Sequence, residues 1–212
     1  MSSTAELLRR DLVGVCQRLY QRGFIAGTEG NVSALEAPDR LWITPSGVHK
    51  GLLQPAELLL IDLQGRVLFG VGKPSSETPM HLALYRARPE VRAVVHAHPP
   101  IATSLTVAGC RLEPPLLPEA VVALGEVPTV PYQMPTTWQF ANAVGAAMRH
   151  ADAALLENHG SVAVGRSLSE AFNRMEIVER AAQILYLARL LGQVQPLPAE
   201  AVTALQALRQ GA

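Results

Sequence analysis

Between Thr4 and Arg22 the apolar side chains Leu8, Leu12, Val15, Cys16 and Leu19 recur every three or four residues. That period predicts an amphipathic helix ended near Gly23. The pattern then shortens. GTEGNVSAL runs from a glycine-rich turn into a short strand, and LWITPSGV is a strand that stops at a Pro-Ser-Gly turn. LLLIDLQGRVLFG reads as two strands joined through Gln64-Gly65. KPSSETPMHLALYRARP begins as a loop and becomes a helix, with Ser76 or Thr78 as its cap and Pro79 in its first turn. AVVHAHPP is an apolar strand, Ile101 to Leu105 a short helix, and a Pro-rich loop then leads to VVALGEVPTVPY. TTWQFANAVGAAMRHA is a capped helix, and AALLENHGSVAVG is a strand, a turn at Asn158-His159-Gly160 and a strand. The longest helix is SLSEAFNRMEIVERAAQILYLARLLG, whose apolar stripe takes in Ala171, Met175, Val178, Ala182, Leu185 and Leu190. The Ala-rich tail after Pro196 forms a short, weakly held helix. Strands clustered in hairpins and interrupted by helices predict a mixed, largely antiparallel sheet covered by helices. No repeat, low-complexity tract or linker divides the chain, so residues 1–212 are expected to form a single domain.

Composition narrows the class. With 49% hydrophobic residues the chain has the means for a packed core. Eighteen basic and eighteen acidic side chains leave no net charge, which argues against a nucleic-acid or anionic-membrane binder but leaves room for a local pocket for a small anion. The two cysteines, Cys16 in the first apolar stripe and Cys110 after a glycine, do not make a disulfide framework, so a cytoplasmic setting is expected. MSSTAELLRRDL has no apolar segment of a signal peptide, and no run approaches the length of a membrane span.

The candidate chemistry starts at His96 and His98. Residues at i and i+2 of a strand point the same way, so both imidazoles share one face. Hydrogen-bonded strand histidines and a metal pair are about equally good readings of that spacing alone. His159, held in the tight ENHG turn, brings the set to three, the ligand count of a catalytic zinc site with an open position. Glu77 stands at a loop-to-helix junction, as a first-turn carboxylate favoured by the helix dipole or as an acid/base beside a bound anion. Ser75 and Ser76 precede it, and backbone N–H groups at a helix start suit an anion. Two further turns offer similar groups: Thr28 and Asn31 in GTEGN, and Ser46 and Gly47 in TPSG. His81 shares the helix face of Glu77 as a supporting or structural residue, and His150 is expected at the surface.

GTEGNVS, ITPSG, KPSSE, the His-x-His strand in AVVHAH, and LLENHG occur in the order seen in the class II aldolase/adducin family. The chain resembles the L-fuculose-1-phosphate aldolase branch from its first helix to about Gly192. The resemblance implies a three-layer α/β/α fold with a central mixed, mainly antiparallel sheet. It also implies a homotetramer with active sites between subunits. By motif, His96, His98 and His159 would hold zinc, with another divalent metal as the alternative. Glu77 would be the acid/base, and Thr28, Asn31, Ser46, Gly47, Ser75 and Ser76 would bind phosphate. The implied reaction is zinc-dependent cleavage of a ketose 1-phosphate to dihydroxyacetone phosphate and an aldehyde. A sugar-phosphate dehydratase, decarboxylase or 4-epimerase is the alternative on the same scaffold, and a non-enzymatic adducin-like interaction module is the alternative from another class. No Schiff-base lysine is needed, so Lys50 and Lys73 read as surface or anion-side charges. The chain departs from the branch where tyrosines are sought: Glu119, read as a solvated loop residue, stands at one position, and the tail TALQALRQGA holds none. Glu29, inside GTEGN, is expected to point away from a bound phosphate.

Overall fold

The computed structural model describes residues 3–210. Its first helix, α1 (Ser3–Gln21), buries Leu12, Val15, Cys16 and Leu19, the stripe expected from the sequence. Two antiparallel hairpins follow, β1 (Asn31–Ala37) with β2 (Arg40–Ile43), and β3 (Leu59–Asp62) with β4 (Val67–Phe69). Then come α2 (Thr78–Ala87), β5 (Ala93–Ala97), α3 (Pro100–Val107), α4 (Pro118–Leu124), β6 (Thr129–Val130) and α5 (Trp138–Ala147). The hairpin β7 (Ala153–Leu156) and β8 (Gly160–Gly165) leads into the long α6 (Leu168–Leu191), and α7 (Ala199–Gln210) ends the described chain.

The strands form one sheet in the order β4-β3-β2-β1-β5-β8-β7-β6. Every neighbouring pair is antiparallel except β6 with β7. Alternation along each strand divides the core between two faces. Val32, Ala34, Val95 and Ala163 pack with Leu12 and Leu19 of α1 and with Met175 and Ala182 of α6. Val94, Val162 and Val164 pack on the other side with Leu82 of α2 and with Phe140 and Val144 of α5. Sheet and flanking helices make the three-layer α/β/α arrangement that the family resemblance implies. Both faces of β5 and β8 are covered, which explains why their sequences read as unbroken apolar runs.

Three local expectations are corrected. Neither Ser76 nor Thr78 caps α2. Glu77 takes the N-cap position with its side chain turned inward, while the Thr78 hydroxyl donates to the Ser75 carbonyl at 2.6 Å. The segment from Pro118 to Leu124 is helical, started by Pro118 and stopped by Gly125 at φ 65°, so Glu119 is exposed in the first turn of α4 and is not a loop residue. Leu190 leaves the apolar stripe of α6, because the helix outruns the core, and it is exposed with Leu187 and Leu191. No described helix is long and apolar enough to cross a membrane.

Candidate functional site

The centre of the sheet brings the chemistry together. His96 shares the α2 side of β5 with Val94, and it is fully buried. Its Nδ1 lies 2.9 Å from the Ser161 carbonyl of β8, an acceptor only, so Nδ1 carries a proton and Nε2 is the nitrogen turned to the cluster. His98 follows the strand, its backbone N–H donating to Phe24 O at 2.8 Å. Its Nε2 stands 3.1 Å from His96 Nε2. Just beyond it, buried Glu179 of α6 accepts from the backbone N–H groups of Ile101 and Ala102 at 3.1 and 2.8 Å, which fixes the start of α3.

His159 arrives from the β7–β8 turn. Asn158 is left-handed there, at φ 54°, and its N–H donates to the Thr106 hydroxyl at 3.2 Å. Gly160 has φ 152°, and a Cβ at that position would sit 2.5 Å from Ala97 O and 2.7 Å from His98 Cδ2. Glycine therefore lets the turn close onto the neighbouring histidine. One ligand atom from each of His96, His98 and His159 lies within 4.8 Å of the others.

Glu77, at the start of α2, completes the cluster. Its Oε2 lies 3.2 Å from His96 Nε2 and accepts from the Asn31 amide at 2.8 Å. Its Oε1 lies 3.2 Å from His159 Nε2 yet accepts no hydrogen bond. Burial works against the Glu77 charge, but His96, His159 and the Asn31 amide outweigh it and hold the carboxyl well below the usual carboxylate range. Burial likewise opposes a proton on His96, but Glu77 and the Ser161 carbonyl raise its affinity. Burial and the nearby His96 push His98 down to about 3 and His159 down to about 4. These two rings are therefore neutral at physiological pH and ready to coordinate.

That donor set fits a metal. Three imidazoles converge, with His96 tied through Nδ1 to a carbonyl and its Nε2 turned to the cluster, two rings held neutral, and an anionic carboxylate beside them. A divalent cation placed there would supply the positive charge on which these acceptors converge.

Three turns lie beside this cluster, stitched to one another. The backbone N–H of Lys50 donates to Gly27 O at 3.1 Å, and its Nζ donates to Thr28 O and Val48 O at 3.2 and 2.8 Å. Lys50 is therefore a buried tie between two turns, which corrects its reading as a surface or anion-side charge, while Lys73 is exposed. Ser46 N–H donates to Lys73 O, and Ser75 N–H donates to Thr44 O, closing the second turn on the third. Thr28, Ser46, Gly47 and Ser76 are exposed on these turns, whereas Ser75 is buried and its hydroxyl accepts from Glu77 N–H at 3.3 Å. Asn31 belongs to the histidine cluster through its side chain and to the first turn through its backbone. Glu29 folds back so that Oε2 accepts from Ala26 N–H at 3.0 Å and stands 3.7 Å from His98 Nδ1. His150 is exposed.

The fold and site together define an α/β/α protein with a candidate three-histidine metal centre and an adjoining carboxylate. The family described as class II aldolase and adducin N-terminal domain matches residues 10–186, and the chain belongs to it. The 3-oxo-tetronate 4-phosphate decarboxylase of Escherichia coli K12 is 36% identical over 184 residues, 85% of this chain and 86% of that protein. The L-fuculose phosphate aldolase of Methanocaldococcus jannaschii is 33% identical over 183 residues, 86% and 98% of the two chains. Among solved structures, YgbL of Escherichia coli, described as a candidate aldolase/epimerase/decarboxylase, superposes with a TM-score of 0.88 at 35% identity. That match covers 95% of this chain and 99% of YgbL.

Sequence reasoning missed Ser33 and Tyr85, which extend the Glu77 cluster into the core. A signal was present. Glu77, His81 and Tyr85 recur every four residues along one helix, and Asn31 and Ser33 alternate along one strand.

Proposed function

We propose that residues 1–212 form a single metal-dependent lyase domain acting on a small phosphorylated sugar, with zinc held by His96, His98 and His159. The reaction is reversible cleavage of a ketose 1-phosphate resembling L-fuculose 1-phosphate to dihydroxyacetone phosphate and an aldehyde. One observation carries this reading: a buried carboxylate, Glu77, with one oxygen anchored and the other without a hydrogen-bond donor, stands 3.2 Å from two of three converging imidazoles.

When bound, the metal supplies Lewis-acid polarisation of the substrate carbonyl, which stabilises the negative charge left as the adjacent carbon–carbon bond breaks. The chain does the rest. Glu77 delivers a proton to the carbon released by cleavage, and the proton that the aldehyde-forming hydroxyl loses, exchanged through solvent, restores the balance. The fixed position of Glu77 makes the transfer to carbon local. Thr28, Ser46, Gly47, Ser75 and Ser76, with the N–H groups at the start of α2, hold the phosphate. Binding energy at that unreactive end then orients the reacting end. A homotetramer with sites between subunits gives the exposed Tyr132, Met134 and Trp138 an apolar partner, and the free cysteines suit a cytoplasmic setting.

Decarboxylation of a 3-oxo-tetronate 4-phosphate is the second reading, favoured by the 36% identical relative. It requires the same charge stabilisation, with carbon dioxide as the leaving group. The test runs zinc-loaded protein, beside a chelator-treated control, on L-fuculose 1-phosphate, related ketose 1-phosphates and a 3-oxo-tetronate 4-phosphate. Chelator-sensitive release of dihydroxyacetone phosphate supports the aldolase, and release of carbon dioxide alone transfers the site to the decarboxylase. Protein that purifies without zinc and turns over nothing would instead fit an adducin-like module.

A further inference from the structure

Behind Glu77 a row of polar side chains runs into the core. Glu77, His81 and Tyr85 are spaced four apart on α2, while Asn31 and Ser33 are spaced two apart on β1. Four helical residues rise about 6 Å and two strand residues about 6.6 Å, so the two rows keep step and interdigitate. The contacts zigzag accordingly: Glu77 Oε2 to Asn31 Nδ2 at 2.8 Å, Asn31 Oδ1 to His81 Nε2 at 2.5 Å, His81 Nδ1 to Ser33 Oγ at 2.6 Å, and Ser33 Oγ to Tyr85 OH at 2.8 Å. All five residues are buried.

The direction of every bond follows from the carboxylate at one end. A carboxylate only accepts, so the Asn31 atom facing it is the NH2 group and the carbonyl faces His81. His81 must then carry its proton on Nε2. Buried and neutral, it has one proton to place, so its Nδ1 accepts from the Ser33 hydroxyl. Ser33 in turn accepts from Tyr85, whose phenol burial keeps protonated. Reversing any single bond would set two donors or two acceptors against each other in a dry interior.

We infer that Tyr85, Ser33, His81 and Asn31 are positioning residues that lock the Asn31 amide with its N–H on Glu77 Oε2 and so assign Oε1 as the proton-carrying oxygen. Without the lock the Asn31 amide can flip, placing its carbonyl against the carboxylate and turning Glu77 out of register with the histidines. The inference rests on the reading of Glu77 as the proton carrier, but the direction of the chain stands apart from any reaction.

Two measurements test it. The first is the tautomer of His81, read from side-chain 15N shifts in the zinc-loaded protein. The Nε2–H form is expected, and an Nδ1–H form overturns the chain whatever the protein catalyses. The second compares His81→Leu with His81→Gln, since the glutamine amide can return an N–H near the position of Nε2. His81→Leu is expected to lower kcat by roughly 10²-fold, the low end of what general acid–base catalysis contributes. KM should stay within about threefold, zinc should remain bound, and His81→Gln should recover most of the loss. An unchanged kcat in folded, zinc-bound His81→Leu overturns the inference. If His81→Leu does not fold, His81→Gln decides beside Asn31→Leu, which cannot donate to Glu77. His81→Gln should then be the more active, and equal activity overturns the inference. Wild-type protein inactive on every substrate would count against the proposed function, and the tautomer would still decide the chain.

Discussion

Two buried carboxylates, Glu77 and Asp152, sit in opposite circumstances. Asp152, just before β7, meets Arg88 on Oδ1 and both Arg174 and Arg209 on Oδ2. Those arginines come from the end of α2, from α6 and from α7, so one acid clasps three helices. Glu77 has no guanidinium. Its neighbours are imidazoles and an amide, and one oxygen is left without a donor. Burial alone does not separate structural from reactive acids. What each oxygen touches does. A carboxylate saturated by arginines has no capacity left for a proton or a metal, whereas one left incomplete is available for chemistry.

The comparison can be broken most severely at the histidines. His96→Ala should lose the metal, measured by elemental analysis at about one ion per chain in the wild type. Turnover should fall on the order of 10³-fold with it. On the structural side, Asp152→Ala leaves three guanidinium groups facing a void. It should cost about 3 kcal/mol in chemical unfolding, with kcat per folded molecule unchanged, since Arg209 loses its acid while Arg88 and Arg174 keep only the more exposed Glu90 and Glu170. An Asp152 variant that is stable but inactive would erase the distinction.

A smaller effect is set by pH. His81 is held down at about 3 against an ordinary 6.5, chiefly by burial. Between those values the unfolded chain takes up a proton that the folded chain refuses. The contribution of His81 is therefore whole above about pH 6.5 and is lost as pH falls toward 3. At pH 5 chelated wild-type protein should have lost about 2 kcal/mol more than His81→Gln, relative to pH 7. Equal losses would mean that the buried ring is not neutral. The smallest effect is at Lys50. Its Nζ ties two of the turns. Lys50→Met should weaken binding of inorganic phosphate roughly fivefold, the factor that ~1 kcal/mol makes, in calorimetry. Unchanged affinity would leave Lys50 a purely structural tie.

Much of this was legible in the sequence because local periodicity carried it. The i, i+2 spacing of His96 and His98, the tight turn around His159 and the order of the glycine- and serine-bearing turns all survive as local patterns. Lys50 was misread because it lies in a turn segment between Gly47 and Gly51, where a lysine is ordinarily solvated. Its burial comes from the way the 44–50 turn folds over the 27–30 turn, a contact between segments about twenty residues apart. Tyr85 and Ser33 look like ordinary core and strand residues, and only the matched pitch of α2 against β1 aligns them behind Glu77. The Asp152 clasp was invisible for the same reason, as its partners lie up to 64 residues away.

The most direct test places Glu77→Gln beside Asp152→Asn, measuring bound zinc and turnover on the same samples. Glu77→Gln should keep its zinc and its stability and lose roughly 10²- to 10⁴-fold in kcat. Asp152→Asn should be less stable and, where folded, fully active. A Glu77→Gln protein that turns over at the wild-type rate with zinc bound would contradict the assignment of Glu77 as the proton carrier.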